Sequence, residues 1–122
     1  AVRFVAPEAS DHEIAALLAR LSPRMADEGA DATLARRVGS LSAGERRLVA
    51  IARVLLRPAA LVALDEPEAS LDRDARTRVA GVVASSLAGR TAIVVTHDEA
   101  FAAIGTRVVT LPAFQPTGAS TA

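Results

Sequence analysis

Apolar positions along the chain follow two rhythms. Ile14, Leu17, Leu18 and Leu21 recur at i, i+3, i+4 and i+7, which predicts one apolar stripe on a helix of about three turns. Ser10-Asp11-His12-Glu13 stands before that stripe as a capping box, the Ser hydroxyl and the Glu carboxylate each satisfying an orphan amide. Pro23 ends the helix. Residues 1–9 read as an irregular or extended lead-in, and 23–40 as polar, alanine-rich loop with room for one short helix. A second helix begins at Ser42, turns Leu48, Ile51 and Leu55 inward, and stops at Pro58. Leu61–Leu64 is an unbroken apolar run, the pattern of a strand buried on both faces of a parallel sheet. A third helix runs from about Asp72 to Leu87, buries Val79, Val82, Val83 and Leu87, and ends at Gly89. Thr91–Thr96 is a second buried strand, Asp98 to Ile104 a short helix closed by Gly105, and Arg107–Leu111 a last strand. Strands alternating with helices predict an α/β fold built on a parallel sheet flanked by helices. The tail from Pro112 to Ala122 is small and polar, and no internal repeat is visible.

Composition narrows this picture. In 122 residues, fourteen acidic side chains balance fourteen basic ones, so the net charge gives no reason to expect a nucleic-acid partner. Hydrophobic residues make up 51%, much of it alanine, with only three Phe among the aromatics; a core of Ala, Val and Leu buries little area per residue and predicts marginal stability in isolation. The absence of cysteine excludes disulfides and thiolate metal sites and fits a reducing compartment. No apolar run approaches the roughly 20 residues of a membrane span. Ala1-Val2-Arg3-Phe4 lacks the layout of a signal peptide, and the missing initiator Met leads us to expect that the sequence starts inside a longer polypeptide.

Ligands of open α/β sheets bind beyond the carboxyl ends of the strands. Two predicted strands end there in polar residues: Leu64 is followed by Asp65-Glu66-Pro67, and Val95-Thr96 by His97-Asp98. One carboxylate could hold Mg²⁺, largely through water, and a second could take a proton from an attacking water, while a histidine on the neighbouring strand end reaches the same phosphate. A carboxylate pair alone reads equally well as solvent-facing polar residues, and His97 alone reads better that way. His12 lies in the first turn of a distant helix and is expected at the surface, which argues against a transition-metal site. Ser42-Ala43-Gly44-Glu45 is a second capping box and needs no function to explain it. The same geometry offers a phosphate free amides and a positive dipole end, with Gly44 permitting close approach to the backbone.

In order and at this spacing, with Leu41 24 residues before Asp65 and Asp65 32 before His97, these pieces resemble the ATP-binding-cassette (ABC) family from about residue 10 to 111. Leu41-Ser42-Ala43-Gly44-Glu45 looks like the signature motif, usually Leu-Ser-Gly-Gly-Gln. Leu61 to Asp65 with Glu66 looks like Walker B plus the catalytic glutamate, Ser70-Leu71-Asp72 like the D-loop, and His97 like the switch histidine. The Ile51-Ala52-Arg53 run and the 24-residue interval are similar to transporters more than to the chromosome-maintenance branch. Pro7-Glu8-Ala9-Ser10-Asp11 before an amphipathic helix resembles exporters with membrane helices fused to the cassette. The LSAGERR and THD stretches further resemble the thiol exporters of cytochrome bd assembly.

The resemblance implies a partial P-loop NTPase domain. Residues 1–40 would be part of the helical subdomain, 41–112 the C-terminal part of the catalytic subdomain, and 113–122 a flexible tail. It implies ATP and Mg²⁺ as cofactors, with Asp65 helping to hold the metal, Glu66 polarising the attacking water and His97 contacting the γ-phosphate. Ser42, Ala43, Gly44 and Glu45 would meet the nucleotide of a second cassette, and Ser70, Leu71 and Asp72 would couple the two sites. Partners would be that second cassette and transmembrane domains on the same polypeptide, placing the protein at the cytoplasmic face of the cell membrane. Ala43 for glycine puts a methyl where the backbone meets phosphate, Glu45 for glutamine puts negative charge near an anion, and Glu68 replaces a frequent threonine. All fourteen basic residues are arginine, so the glycine-rich loop ending in Lys-Ser/Thr is not in this stretch, and the only Gln is Gln115. The expected function is the C-terminal portion of a transporter ATPase, inactive as a fragment, with a phosphate loop roughly 80–100 residues before Leu41. A non-transport ABC ATPase, and a non-catalytic half-cassette completing a partner's site, are the alternatives.

Overall fold

The computed structural model describes residues 9–28 and 40–114. Its elements are α1 (Asp11–Leu21), α2 (Pro23–Glu28), α3 (Ala43–Leu56), β1 (Leu61–Asp65), α4 (Arg73–Ser86), β2 (Thr91–Val95) and α5 (Glu99–Ala102). The two strands pair in parallel, Leu61 opposite Thr91 through Asp65 opposite Val95, with α4 as the crossover that a parallel pair requires. Helix α1 packs on α2, α3 and α4, and α5 packs on α4. The α/β class with a parallel sheet flanked by helices is as the alternating pattern predicts.

Each helix starts where its sequence supplies a cap. Ser10 and Ser42 both form complete capping boxes, with Glu13 and Glu45 respectively, and Asp72 accepts from the Ala75 amide at the head of α4. The Ser10 amide holds the Glu13 carboxyl below its ordinary value. Pro23 opens α2, where its missing N–H is no loss. Helix α4 ends before Gly89, whose φ of +76° is the left-handed conformation that glycine adopts at least cost. The predicted stripes all turn inward: Ile14, Leu17, Leu18 and Leu21 join Leu48, Ile51, Leu55, Val62, Leu64, Val79, Val82, Val83, Leu87 and Phe101 in one cluster.

Arginines fasten this cluster at its rim. Arg90 donates Nε to the Ala59 carbonyl, Nη1 to Leu55 and Nη2 to Arg57, closing the C-terminal end of α3 against the start of β2. Arg20 donates to Ser85 Oγ at 2.6 Å, and Arg78 to the Leu21 carbonyl at 3.1 Å, binding α1 to α4. The bonds to Leu21 and Leu55 satisfy helix-end carbonyls that lack an intrahelical partner.

Two expectations are corrected. Residues 107–111 form no strand: Val108 and Val109 are each 65% exposed and Leu111 79%, and no ladder partner is present among the described residues. An apolar, β-branched run has strand propensity, but without a neighbour to pair with its amides that propensity is not realised. The strands are also not buried on both faces. In β1 only Val62 and Leu64 are inside, and Leu61, Ile93 and Val95 lie 55–58% exposed on the open face. The predicted helix at Asp98–Ile104 is shorter, Glu99–Ala102, with Gly105 closing onto the Ala102 carbonyl. No helix among the described residues is long and apolar enough to cross a membrane. Readings that fell on residues 1–8, 29–39 and 115–122 lie outside the described residues.

Candidate functional site

Asp65 is the last residue of β1 and is exposed at its carboxyl end. The next residue, Glu66, has φ +44° and donates its amide to the Val95 carbonyl at 2.8 Å, so the turn is pinned to β2 as it leaves the sheet. Ser70 has φ +66°, and two turn hydrogen bonds, Ala69 to Glu66 and Leu71 to Glu68, complete the segment. Left-handed backbone at non-glycine residues costs on the order of 1 kcal/mol or more each, and persists only where the surroundings enforce it. Here the enforcement comes from the Val95 carbonyl on one side and the Asp72 cap of α4 on the other.

The parallel register sets the second strand end beside the first, as the sequence predicts. His97 Nδ1 lies 3.8 Å from Glu66 Oε1 and 3.5 Å from Glu68 Oε1. The His97 and Glu66 side chains are 79% and 58% exposed, whereas Glu68 is almost fully enclosed at 3%. Glu68 Oε1 accepts from Thr96 Oγ1 at 2.8 Å and from the His97 amide at 3.2 Å. The Thr96 hydroxyl in turn accepts from the Asp98 amide, and Asp98 caps α5 through the Ala100 and Phe101 amides.

Sequence reasoning flagged Glu68 only as a departure, and passed over Thr96, Arg24 and Arg76. Arg76 donates Nε to the Leu71 carbonyl at 3.0 Å and approaches Asp98 with Nη1 at 3.5 Å, so one side chain joins the 70–72 segment to the loop of His97. No sequence signal marks it, since Arg73, Arg76 and Arg78 look alike on a polar helix face. Glu68 had a signal in retrospect: a carboxylate between Pro67 and Ala69, both more enclosed than solvent-facing residues, in a turn of small side chains.

At the head of α3, Ser42 and Ala43 are exposed, Gly44 is partly enclosed, and Glu45 is buried at 7%. Glu45 does not point its charge outward. Its Oε2 accepts from the Ser42 amide at 2.8 Å and its Oε1 lies 3.7 Å from Arg24 Nη1, so the substitution for glutamine is absorbed by the cap and by a cation from α2. Gly44 stands against the 66–72 turn: a Cβ placed there would lie 3.1 Å from the Ser70 carbonyl oxygen. The structure therefore joins Gly44 to Ser70, Glu66 and Glu68 to His97, and Leu71 through Arg76 to Asp98, with Asp65 exposed at the end of β1.

These residues fit Mg²⁺ only as a shared ligand. No group of three or more His, Cys, Asp or Glu among the described residues is arranged to hold a metal. A single exposed carboxylate suits a cation that keeps most of its water and takes its other ligands from phosphate. Asp65 also borders a cavity of about 170 Å³ between α3 and β1, below the size of a small-molecule pocket. A larger cavity of about 430 Å³, lined by Leu87, Arg90, Val94, Phe101 and Arg107, carries none of the site residues. The strand ends thus present a surface.

Comparison with known proteins reads this arrangement. A family profile described as "AAA domain, putative AbiEii toxin, Type IV TA system" matches residues 4–103. The ABC transporter ATP-binding protein YknV of Bacillus subtilis is 35% identical over 100 residues, covering 79% of this chain and 17% of that protein. The chain belongs to the ABC ATPase family. The glutathione/L-cysteine transport system ATP-binding/permease protein CydD of Escherichia coli is 35% identical over 102 residues, 80% of this chain and 17% of its own length. The cytochrome c biogenesis ATP-binding export protein CcmA of Xanthomonas oryzae is 46% identical over 78 residues, 62% of this chain and 36% of its own. The chain therefore spans between about a sixth and about a third of the curated relatives it matches. As an ABC ATPase it is a partial P-loop NTPase domain with the α/β layout described above.

Proposed function

We propose that this chain is the C-terminal portion of the ATP-hydrolysing domain of an ABC membrane transporter. The observation that carries the reading is the convergence of Glu66 and His97, from adjacent strand ends, to 3.8 Å on an exposed surface. An acid able to take a proton from water beside a donor able to meet a phosphate oxygen is what hydrolysis of a γ-phosphate needs. In this reading Glu66 orients and polarises the attacking water, His97 contacts the γ-phosphate, and Asp65 helps to hold Mg²⁺. The metal would supply charge neutralisation of the phosphates. Ser42, Ala43, Gly44 and Glu45 serve a nucleotide held mainly by a second cassette, and Ser70, Leu71 and Asp72 connect the two sites. Residues 1–40 belong to the helical subdomain, 41–112 to the catalytic one and 113–122 to a tail. The phosphate-clamping lysine comes from a segment outside these residues, because the chain has no lysine. Membrane domains on the same polypeptide would place the cassette at the cytoplasmic face of the membrane.

The export direction draws support from one relative whose name specifies export in cytochrome c biogenesis, and a thiol substrate from another named for glutathione and L-cysteine transport. A thiol-export role predicts ATP-dependent uptake of glutathione or cysteine into inverted vesicles carrying the full-length protein. The test of the catalytic reading is Glu66→Gln in that protein. It should stop turnover while leaving ATP bound and the two cassettes closed. Undiminished turnover would show that the base lies elsewhere, and turnover that never depended on this chain's carboxylate would favour the half-cassette alternative.

A further inference from the structure

Glu68 is the only charged side chain between Glu66 and Asp72 that turns inward. The residue is 2% exposed, and its Oε2 is buried without a hydrogen-bond partner among the described residues. Enclosing a carboxylate costs several kcal/mol unless its contacts compensate. The hydrogen bonds of the carboxylate, and its close approach to a ring nitrogen, go to the second strand end: the Thr96 hydroxyl, the His97 amide and His97 Nδ1. None goes to its own turn. The residue spans from the segment that carries Glu66 to the segment that carries His97.

The loop 96–98 is thereby held at both ends. On its far side Asp98 caps α5, and α5 is anchored in the core by Phe101 at 1% exposure. On its near side Glu68 fixes it directly and through the Thr96 hydroxyl that receives the Asp98 amide, and Arg76 adds a contact to Asp98 at 3.5 Å. Nδ1 faces the Glu68 and Glu66 carboxylates, which turns Nε2 toward whatever lies outside. We propose that Glu68 is a positioning residue that locks the His97 loop to the Glu66 turn and sets which ring nitrogen His97 presents. The proposal rests on the reading of His97 as the residue that meets the nucleotide.

The experiment uses the full-length protein with ¹⁵N-labelled histidine, in five forms: parent, Glu68→Ala, Glu68→Gln, Thr96→Val and His97→Ala. Glu68→Ala should lower kcat about ten- to hundred-fold, the loss that follows when a reacting group is misplaced, with KM for ATP unchanged. Glu68→Gln keeps an acceptor oxygen at nearly the same volume and should restore most of kcat, whereas Thr96→Val should lower it. The His97 ring nitrogen shifts in Glu68→Gln should match the parent, and those in Glu68→Ala should differ, because Nδ1 loses the acceptor it faces. Parental kcat and an unchanged ring spectrum in Glu68→Ala would overturn the proposal. So would equal losses in Glu68→Gln and Glu68→Ala with both melting like the parent, since an acceptor in place would then not suffice. If Glu68→Ala does not fold, Glu68→Gln and Thr96→Val decide. If His97→Ala retains turnover, the functional reading of His97 fails, and the ring spectrum still decides whether Glu68 positions it.

Discussion

Ser42 is the N-cap of α3 and, in the proposed reading, also meets a partner's phosphate, two roles that one substitution cannot separate but two can. As N-cap of α3 its hydroxyl accepts from the Glu45 amide at 3.1 Å. Ser42→Ala removes that acceptor and should cost about 1 kcal/mol, lowering the melting temperature of the nucleotide-binding region by about 2–4 °C. Ser42→Asp keeps a strong capping acceptor and adds a charge that the helix dipole favours, so stability should change by less than about 0.5 kcal/mol. If the exposed hydroxyl also meets a partner's phosphate, the new carboxylate meets it too. Two unit charges about 4 Å apart near a protein surface repel by about 4 kcal/mol, which is roughly a thousand-fold in affinity for the closed, ATP-bound state. The assay is ATP turnover and ATP-dependent cassette closure in the full-length protein, beside thermal melts of the same preparations. Ser42→Asp should melt like the parent and neither close nor turn over, with Ser42→Ala less stable but more active than Ser42→Asp. Parental turnover in Ser42→Asp would refute the phosphate contact and leave Ser42 as a cap alone.

Two further outcomes are expected. Gly89→Ala should destabilise by roughly 1 kcal/mol, because φ is +76° while no atom lies within 4 Å of the added methyl, so the cost is backbone strain alone; a gain in stability on urea titration would mean the turn relaxes freely to negative φ, where Gly→Ala stabilises. The isolated 122-residue chain should hydrolyse no ATP and melt broadly, since Leu61, Ile93 and Val95 stand on an open sheet face; turnover lost on Glu66→Gln, or a sharp cooperative melt, would contradict these two expectations respectively.

Helices were legible in the sequence because their signals are local. Capping boxes at Ser10 and Ser42, stripes at 3.6-residue spacing and a glycine at the end of α4 each act within a few residues, and all three reappear in the structure. The strand predictions depended on neighbours that local pattern cannot supply. Leu61–Leu64 and Thr91–Val95 became strands because they have each other, while Arg107–Leu111 has no ladder partner among the described residues and stays irregular. The same distinction runs through the site. Residue identity and spacing put Asp65, Glu66 and His97 at neighbouring strand ends, since register follows from parallel pairing. The side chains that fix them arrive from far along the chain: Glu68 reaches Thr96 and His97, Arg76 reaches Asp98, and Arg24 reaches Glu45.

That difference changes what Gly44 can be used to prove. The sequence offers one reason for a glycine there, close approach of a phosphate to the backbone. The structure supplies another on the chain's own side, because a Cβ would sit 3.1 Å from the Ser70 carbonyl oxygen. That separation is too tight for ordinary contact, and the neighbour that must give way is backbone at φ +66°, with little freedom to do so. A bulky residue at 44 would therefore disturb the 70–72 segment before it disturbed any ligand, and lost activity would not distinguish the two causes. The Ser42 side chain is exposed and Ser42→Asp retains the capping acceptor, so it is the position at which a phosphate contact can be tested with the head of α3 left in place. The packing also means that the head of α3 and the 66–72 turn shift together. In the proposed reading, a phosphate drawn to the first would be felt through Arg76 and Glu68 at the loop of His97, which would link a partner's nucleotide to the residues proposed for hydrolysis here.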